Sequence, residues 1–294
     1  MHYGINRNFV YALFLLKYVG IKKVCYSKGI WGILQLWHKT AKIKNKMHDG
    51  ERKDMLDRMD LHTHTIVSGH AYNTRNEMLK AAKEKGIDVL GITEHAPAMP
   101  GSCHNMYFLN FKVLPRKYEG MSVLYGAELN ILDYEGHVDL PESLLKELDL
   151  TLASIHTPCY VSGSIVENTN AYIGAMRNPY VNIIAHPDDK RFPIDYEALV
   201  KSAKKYHVIL EVNNASLSPK SFRGDPRENY KEMLGLCMDY QVPVVMDSDA
   251  HVDVMVGNHG YAKEMLDMVG FPERLVVNYH RELLKEYINR GDLL

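Results

Sequence analysis

Seven short runs of apolar and β-branched residues recur along the chain, and each has His, Glu, Asp or Asn at or near its end. The runs are RMDLHTH (58–64), DVLGITEH (88–95), SVLYGAELN (122–130), LTLASIH (150–156), VNIIAHP (181–187), VILEVNN (208–214) and VPVVMDSDAH (242–251). Runs of this length and composition are typical of buried β-strands. The sequence therefore predicts seven strands with polar carboxyl ends.

Amphipathic helical patterns separate several of these strands. In TRNEMLKAAKEKG (74–86), Thr74 and Glu77 have the spacing of a capping box, and Gly86 is placed to end the helix. Further helices are predicted over 195–206 and 226–240. Alternating strands and helices form parallel sheets with right-handed crossovers, so the fold class is α/β, as an open sheet or a closed barrel.

The position of the polar residues favours the barrel. In an open parallel sheet the ligands gather between two or three strands, whereas in a barrel the carboxyl end of every strand faces one shared site. Nearly every predicted strand here ends in a residue of ligand type. We therefore expect a seven-stranded (β/α)7 barrel, similar to a TIM barrel, with a single site at its carboxyl end.

Histidines are concentrated at the ends of the predicted strands. Strands end in His62, His64, His95, His156, His186 and His251, and His70 follows the first strand. Because side chains alternate along a strand, His62 and His64 point the same way, and Asp249 and His251 repeat the arrangement. Seven buried imidazoles with two acids, Glu128 and Asp249, would be costly unless a cation satisfied them. The pattern therefore predicts a metal site.

The number and type of these ligands indicate which ions they suit. An imidazole-rich set favours zinc, with manganese or iron as alternatives, over magnesium or calcium, which prefer oxygen. Nine ligands are too many for one ion and suit two or three. Glu128 has a carboxylate, which can bridge two cations as an imidazole cannot.

Charge is distributed unevenly along the 294 residues. Residues 1–58 hold 12 of the 35 Lys and Arg but 4 of the 36 Asp and Glu, which leaves 23 basic and 32 acidic residues in the remainder. An acidic body argues against a general nucleic-acid binder and favours a small substrate. The four cysteines are widely spaced without a CxxC motif, which argues against a disulfide framework and favours the cytoplasm.

Residues 1–58 form a basic and partly apolar extension to a catalytic domain expected over 59–294. Its segment FVYALFLLKYVG (9–20) is interrupted by Lys17 and is too short to span a membrane. Two interpretations stay open. The extension is an amphipathic segment on a membrane or on the body, or it is disordered or untranslated, with the start at Met47, Met55 or Met59.

Six motifs, in this order, resemble those of the PHP (polymerase and histidinol phosphatase) superfamily: DLHTHT, ITEH, GAELN, SIH, AHP and DSDAH. The segments SGHAYNT and EVNNAS most closely resemble its YcdX-type phosphatase branch. The resemblance covers residues 59 to about 290. It implies a distorted seven-stranded barrel that holds three divalent metal ions per chain.

The resemblance also implies which residues hold each ion. The first ion would be held by His62, His64, Glu128 and Asp249, and the second by Glu128, His156 and His186. The third would be held by His70, His95 and His251. All nine positions carry the residue type that the family pattern requires.

The activity implied is hydrolysis of a small phosphomonoester by water that the ions activate. We expect Asp249, Glu128 and His251 to take part in catalysis, with Asp249, a histidine or a water as the source of the leaving-group proton. Arg116, His104 and Asn213 are candidate substrate-binding residues, because they lie in connections or at a strand end.

Other functions stay open at this point. Within the superfamily these are a histidinol-phosphate phosphatase and a phosphodiesterase or exonuclease. From another class, the alternative is a non-catalytic metal-binding module. We expect no stable nucleic-acid complex and no membrane association unless the extension is amphipathic, and the sequence does not indicate an oligomeric state.

Overall fold

The computed structural model describes residues 57–294, so the predicted extension lies outside the described residues except for its last two. The strands are β1 (Met59–Asp60), β2 (Val89–His95), β3 (Lys117–Tyr118), β4 (Met121–Asn130), β5 (Leu150–Ser154), β6 (Ile183–Ile184), β7 (Ile209–Asn213) and β8 (Val244–Asp247). All the predicted strands are present. The short β3 is an addition, paired antiparallel to β4.

The other seven strands are parallel and follow one another in the order β1-β2-β4-β5-β6-β7-β8. The first and last strands meet just beyond their carboxyl ends, where Thr63 forms a parallel bridge with Ala250. The backbone N–H of His64 donates to the carbonyl of Ala250 at 2.9 Å. The predicted seven-stranded barrel is therefore confirmed, in a nearly closed form.

Helices cover the outside of the barrel. They are α1 (Arg75–Glu84), α2 (Asn105–Leu109), α3 (Glu142–Leu145), α4 (Ile165–Met176), α5 (Tyr196–Tyr206), α6 (Asn214–Leu217), α7 (Arg227–Tyr240), α8 (Gly260–Val269) and α9 (Arg281–Tyr287). The capping box of Thr74 and Glu77 is present at the start of α1, and Gly86 follows its end with a φ of 76°. A second capping box, Ser164 with Glu167, begins α4. No helix within 57–294 is long and apolar enough to cross a membrane.

Two apolar layers lie on either side of the strands. Leu124 and Ile209 belong to the layer inside the barrel, whereas Val123, Tyr125 and Leu210 belong to the layer under the helices. At the amino end of the strands, the C-terminal residues Val277, Leu284 and Ile288 pack against the inner layer and close the barrel. Because side chains alternate, positions two or four residues after an inner residue also face inward.

This alternation brings charged side chains into the barrel. Glu128 lies four residues after Leu124, and Glu211 lies two residues after Ile209, so both carboxylates face inward near the carboxyl ends of their strands. Both residues are completely buried. The strand register also sets His95 opposite Glu128. The fold thus concentrates polar groups at one end of the barrel and apolar groups at the other.

Candidate metal centre

Glu128 is the centre of a buried cluster of imidazoles. Its Oε2 atom lies 2.7 Å from His95 Nδ1, 3.3 Å from His62 Nε2 and 3.5 Å from His64 Nε2. Its Oε1 atom lies 2.8 Å from His186 Nε2 and 3.1 Å from His156 Nε2. One carboxylate therefore contacts five histidines from four separate segments, with some on each of its two oxygens.

A second carboxylate completes one side of the cluster. Asp249 Oδ1 lies 3.4 Å from His64 Nε2 and 3.6 Å from His62 Nε2. As strand alternation predicts, His62 and His64 face the same side. The three residues offer ligand atoms within 4.8 Å of one another, which is the arrangement of a metal-binding group.

His70 and His251 lie on the outer side of the cluster. His70 Nε2 is 3.2 Å from His95 Nε2 and 3.0 Å from His251 Nε2. His64, His95 and His251 also form a group with ligand atoms within 4.8 Å of one another. His95 is thus shared, since its Nδ1 faces Glu128 and its Nε2 faces His70. The structure brings all nine predicted metal-binding residues together.

Unpaired polar atoms support metal binding at this cluster. His62 Nε2, His64 Nε2, His95 Nδ1 and Glu128 Oε2 are buried and have no hydrogen-bond partner. Buried polar atoms are ordinarily hydrogen-bonded, because leaving one unpaired costs about 1–3 kcal/mol. These four atoms all point toward the interior of the cluster, so a divalent cation fits the set of donors that the chain provides.

Neighbouring hydrogen bonds fix how several of these imidazoles are protonated. Ser68 Oγ donates to Glu94 at 2.7 Å, so it can only accept from His64 Nδ1, which lies 3.0 Å away. The amide nitrogen of Asn130 donates to Asp139, so Asn130 Oδ1 accepts from His156 Nδ1 at 2.8 Å. In both histidines the proton is on Nδ1, which leaves the Nε2 lone pair facing the cluster.

His251 follows the same rule. Its Nδ1 lies 3.0 Å from the backbone carbonyl of Asp249, an acceptor, so Nδ1 carries the proton and Nε2 carries the lone pair. The local sequence DSDAH therefore sets both ligand position and tautomer. Asp249 has a φ of 54°, in the left-handed region. In this conformation its Oδ1 faces the ring nitrogens of His62 and His64.

Electrostatics favour, for His64, His156 and Glu128, the protonation states that metal ligands need. Burial, with the neighbouring His95 and His251, holds the pKa of His64 well below its usual range, and burial lowers the pKa of His156 to about 4. Burial opposes ionisation of Glu128, but surrounding histidines outweigh it and its pKa is well below the usual range. Neutral imidazoles beside ionised carboxylates are the form that binds metal.

His62 differs from the other histidines. Burial lowers its pKa, but the negative charges of Glu211, Glu128 and Asp249 outweigh burial, so the pKa is well above its usual value. The negative charges of the three carboxylates thus favour a positive charge at this position. A divalent ion bound here would neutralise the carboxylates as a proton on His62 Nε2 does.

An open cleft of about 720 Å³ leads to the cluster. It is lined by His70, His95, Met99, Pro100, His156, Thr157, Pro158, Arg191, Ala215, Ser218, Lys220, Ser221, Phe222, Arg223, Asp249, His251 and Met255. Histidines and Asp249 form its floor, and three basic side chains lie on its wall. The cleft is large enough for a small organic molecule, and its floor is the outer side of the cluster.

Arg223 is a site residue that sequence reasoning missed. Its guanidinium is buried and lies 3.2 Å from Asp249 Oδ2, with both terminal nitrogens donating. It belongs to the segment SPKSFRGDP (218–226), which has no strand or helix periodicity. The available signal was an arginine in a Ser, Pro and Gly segment shortly after the carboxyl end of β7.

The three predicted substrate-binding residues have different positions. Asn213 lies in the cluster, where its amide nitrogen donates to Asp249 Oδ2 at 3.2 Å. His104 is exposed and caps α2, accepting from the backbone N–H of Met106 at 3.3 Å. It does not line the cleft.

The predicted substrate-binding role of Arg116 does not fit its position. Its Nε donates to Asp149 Oδ2 at 2.8 Å, and its guanidinium lies 5.0 Å from the ring centre of Tyr125. Asp149 directly precedes β5, and Tyr125 lies in the first half of β4, so this ion pair is at the amino end of the strands. Arg116 therefore stabilises the fold at the end opposite to the cluster.

Comparisons with known proteins agree with this geometry. The PHP domain family matches residues 60–287. A protein of Clostridium novyi (strain NT) named "Probable phosphatase" is 44% identical over 236 residues, which cover 80% of this chain and 96% of that protein. A "Probable phosphatase" of Caldicellulosiruptor saccharolyticus is 44% identical over 234 residues, which cover 80% and 97% of the two chains.

Solved structures share the fold. The histidinol phosphate phosphatase of Lactococcus lactis, complexed with zinc, L-histidinol and phosphate, superimposes with a TM-score of 0.52 at 15% identity, covering 74% of this chain and 95% of that one. A chain of an archaeal ribonuclease P with mature tRNA gives a TM-score of 0.51 at 17% identity, covering 78% and 91%. At such low identities the likeness is one of fold.

Proposed function

The chain belongs to the PHP domain family, and on that premise we propose that it is a metal-dependent phosphatase that hydrolyses small phosphomonoesters. The observation that carries the proposal is Glu128, which is fully buried, with ring nitrogens of five histidines 2.7–3.5 Å from its carboxylate, beneath an open cleft. The relatives named as probable phosphatases match nearly their whole length to this chain.

The cluster would hold three divalent ions, with zinc as the proposed metal and manganese or iron as alternatives. The proposed ligands are His62, His64, His70, His95, Glu128, His156, His186, Asp249 and His251. When bound, such ions supply an activated water at neutral pH and positive charge for a phosphate dianion. Zinc in the related fold of the Lactococcus enzyme supports this choice of metal.

The chain's own side chains would orient the substrate. Arg223 is held by Asp249 on one side and faces the cleft on the other, so we assign it to a phosphate oxygen. His251 has a side chain that is 27% exposed and lies on the cleft floor, where it and Asp249 are adjacent to the reacting group. Asn213, which holds Asp249, supports the same geometry.

The substrate would be a small phosphorylated molecule, because the cleft of about 720 Å³ has room for one organic group beside the phosphate. We keep the cytoplasm as the proposed location, on the basis of the cysteine spacing. Hydrolysis of a diester, as by a nuclease, is the competing outcome of the test below.

The test combines metal analysis with two substrates. Purified protein is assayed for metal content by elemental analysis and for hydrolysis of p-nitrophenyl phosphate and bis-p-nitrophenyl phosphate. We expect about three ions per chain and monoester hydrolysis, with about two ions and little activity in His70→Ala. His104→Ala is the matched control, because His104 is an exposed histidine outside the cluster.

Two results would contradict the proposal. Wild-type protein with no bound metal after purification and zinc loading would indicate a different role for the cluster. Hydrolysis of the diester without hydrolysis of the monoester would indicate a phosphodiesterase.

A further inference from the structure

We propose that Glu211 is a positioning residue that orients three of the metal ligands at once. The inference rests on the proposed metal binding but concerns a residue outside the ligand set. Glu211 lies on β7, faces the inside of the barrel and is completely buried. Its carboxylate accepts three hydrogen bonds, from His62 Nδ1 at 2.7 Å, the His186 backbone N–H at 2.6 Å and Asn213 Nδ2 at 3.0 Å.

The first hydrogen bond sets the tautomer of His62. A carboxylate accepts, so the proton of the neutral ring is on Nδ1, and the Nε2 lone pair points at the cluster. Nε2 lies 3.3 Å from Glu128 Oε2 and 3.6 Å from Asp249 Oδ1. A carboxylate that accepts a hydrogen bond from one ring nitrogen of a histidine also makes the other ring nitrogen a stronger ligand for a metal ion.

The second hydrogen bond holds a strained backbone. His186 has a φ of 32°, in the left-handed region, which non-glycine residues adopt only when their surroundings impose it. Its N–H is fixed to Glu211 Oε2, and its Nε2 lies 2.8 Å from Glu128 Oε1. Glu211 thus helps to hold His186 in the backbone conformation that directs its ring at the cluster.

The third hydrogen bond reaches Asp249 through Asn213. The amide nitrogen of Asn213 donates to Glu211 Oε2 and also to Asp249 Oδ2, at 3.2 Å. That contact occupies Oδ2 and leaves Asp249 Oδ1 to face His62 and His64. One carboxylate is therefore coupled to the ring of His62, the backbone of His186 and the side chain of Asp249.

Two other histidines of the cluster are oriented by hydrogen bonds to uncharged side chains. His64 reaches the carboxylate of Glu94 only through Ser68, and His156 reaches that of Asp139 only through Asn130. Ser68 also accepts the backbone N–H of His95 at 2.9 Å. In both cases, however, an uncharged side chain stands between the carboxylate and the cluster residues. We therefore expect Glu211 to matter more for metal affinity than either of these carboxylates.

The variant that tests this role is Glu211→Gln, which keeps the size of the side chain. An amide offers one accepting oxygen and one donating nitrogen, whereas the three neighbours of Glu211 all donate. Either His62 Nδ1 or the N–H of His186 must then face another donor. If the amide nitrogen faces His62, the ring proton moves to Nε2 and blocks the atom that binds metal.

Zinc affinity is the main measurement. Metal-free wild type, Glu211→Gln and Asp149→Asn are titrated with zinc in competition with a chromophoric chelator, and bound zinc per chain is measured after dialysis. We expect zinc to bind about 10- to 100-fold more weakly in Glu211→Gln. Asp149→Asn is the matched control, because Asp149 is an equally buried acid at the opposite end of the barrel.

The outcomes separate this inference from the proposed function. Equal zinc affinity in wild type and Glu211→Gln overturns the positioning role and leaves the proposed phosphatase intact. Wild-type protein that binds no zinc overturns both. An equal loss of affinity in Asp149→Asn shows general destabilisation and also overturns the positioning role.

A second measurement needs no variant, which matters if Glu211→Gln does not fold. Long-range ¹H–¹⁵N NMR spectra of zinc-loaded wild type report which ring nitrogen of His62 carries the proton. The positioning role requires a proton on Nδ1 and none on Nε2. The opposite tautomer overturns it.

Discussion

The two ends of the barrel bury carboxylates in opposite ways. At the amino end, Asp149 is paired with Arg116 through two contacts of 2.8 and 3.2 Å and also accepts the backbone N–H of Tyr125. At the carboxyl end, Glu128 is surrounded by imidazoles, and its Oε2 has no hydrogen-bond donor. The first carboxylate is satisfied by an arginine and a backbone N–H, whereas the second lies in clusters that could hold a metal ion. Buried charge alone therefore does not mark a site, whereas several unpaired ring nitrogens around one buried carboxylate indicate one.

The strongest test of this comparison is Glu128→Ala. Because Glu128 contacts five histidines, its loss removes a shared ligand, and we expect phosphatase kcat/KM to fall by about 1000-fold or more, with fewer ions bound. Steady-state kinetics and elemental analysis measure the two effects. Activity within tenfold of wild type would show that the cluster is not the reaction site.

At the amino end, Arg116→Ala should change stability and not activity. It leaves the carboxylate of Asp149 buried without its partner, so we expect the free energy of unfolding to fall by about 3 kcal/mol. Urea unfolding of the metal-free protein measures this change, and kcat/KM per folded molecule should stay as in wild type. A loss of activity at full folding would place Arg116 in substrate binding after all.

Arg223→Met tests whether Arg223, at the carboxyl end, binds substrate, in contrast to Arg116 at the amino end. A charged hydrogen bond to phosphate is worth about 1.5–3 kcal/mol, so we expect kcat/KM to fall about 30-fold and inhibition by inorganic phosphate to weaken. Arg191→Met is the control, because Arg191 also lines the cleft but is paired with Asp189, which is not one of the nine cluster residues. Equal effects of the two substitutions would contradict the assignment of Arg223.

A third buried group, His259 with Asp57 and Asp60, makes the stability of the protein depend on pH. Burial opposes the charge on His259, but the two aspartates outweigh burial and raise the pKa to about 10. The folded protein then holds a proton that the unfolded chain releases near pH 6.5, so this contribution is complete below pH 6.5 and is lost as pH rises toward 10.

The slope of that loss is measurable. We expect the stability of the metal-free protein to fall by about 1.4 kcal/mol per pH unit between those limits, and the slope to flatten in His259→Gln. Urea unfolding at several pH values measures both proteins. An unchanged slope in the variant would show that other groups cause the pH dependence.

The features that the sequence predicted are those that follow from the alternation of side chains along strands. The barrel and the meeting of nine ligand-type residues followed from strand ends, because alternation and parallel packing fix which side chains share a face. Arg116 and Arg223 both lie in segments without periodicity, so the sequence did not indicate which end of the barrel each one would reach. Glu211 was visible as a strand residue, but its three hydrogen bonds depend on tertiary contacts with His62 and His186.

The closure of the barrel between Thr63 and Ala250 has a consequence for the order of synthesis. His62, His64 and His70 lie near the start of the barrel chain, and Asp249 and His251 follow its last strand. Contacts across this seam join residues far apart in the sequence, such as Asp60 and Ser248, which are 188 positions apart. A nascent chain on the ribosome therefore lacks two of the nine cluster residues until the segment after β8 has emerged. The cluster can therefore assemble only after the last strand and the residues that follow it have been translated.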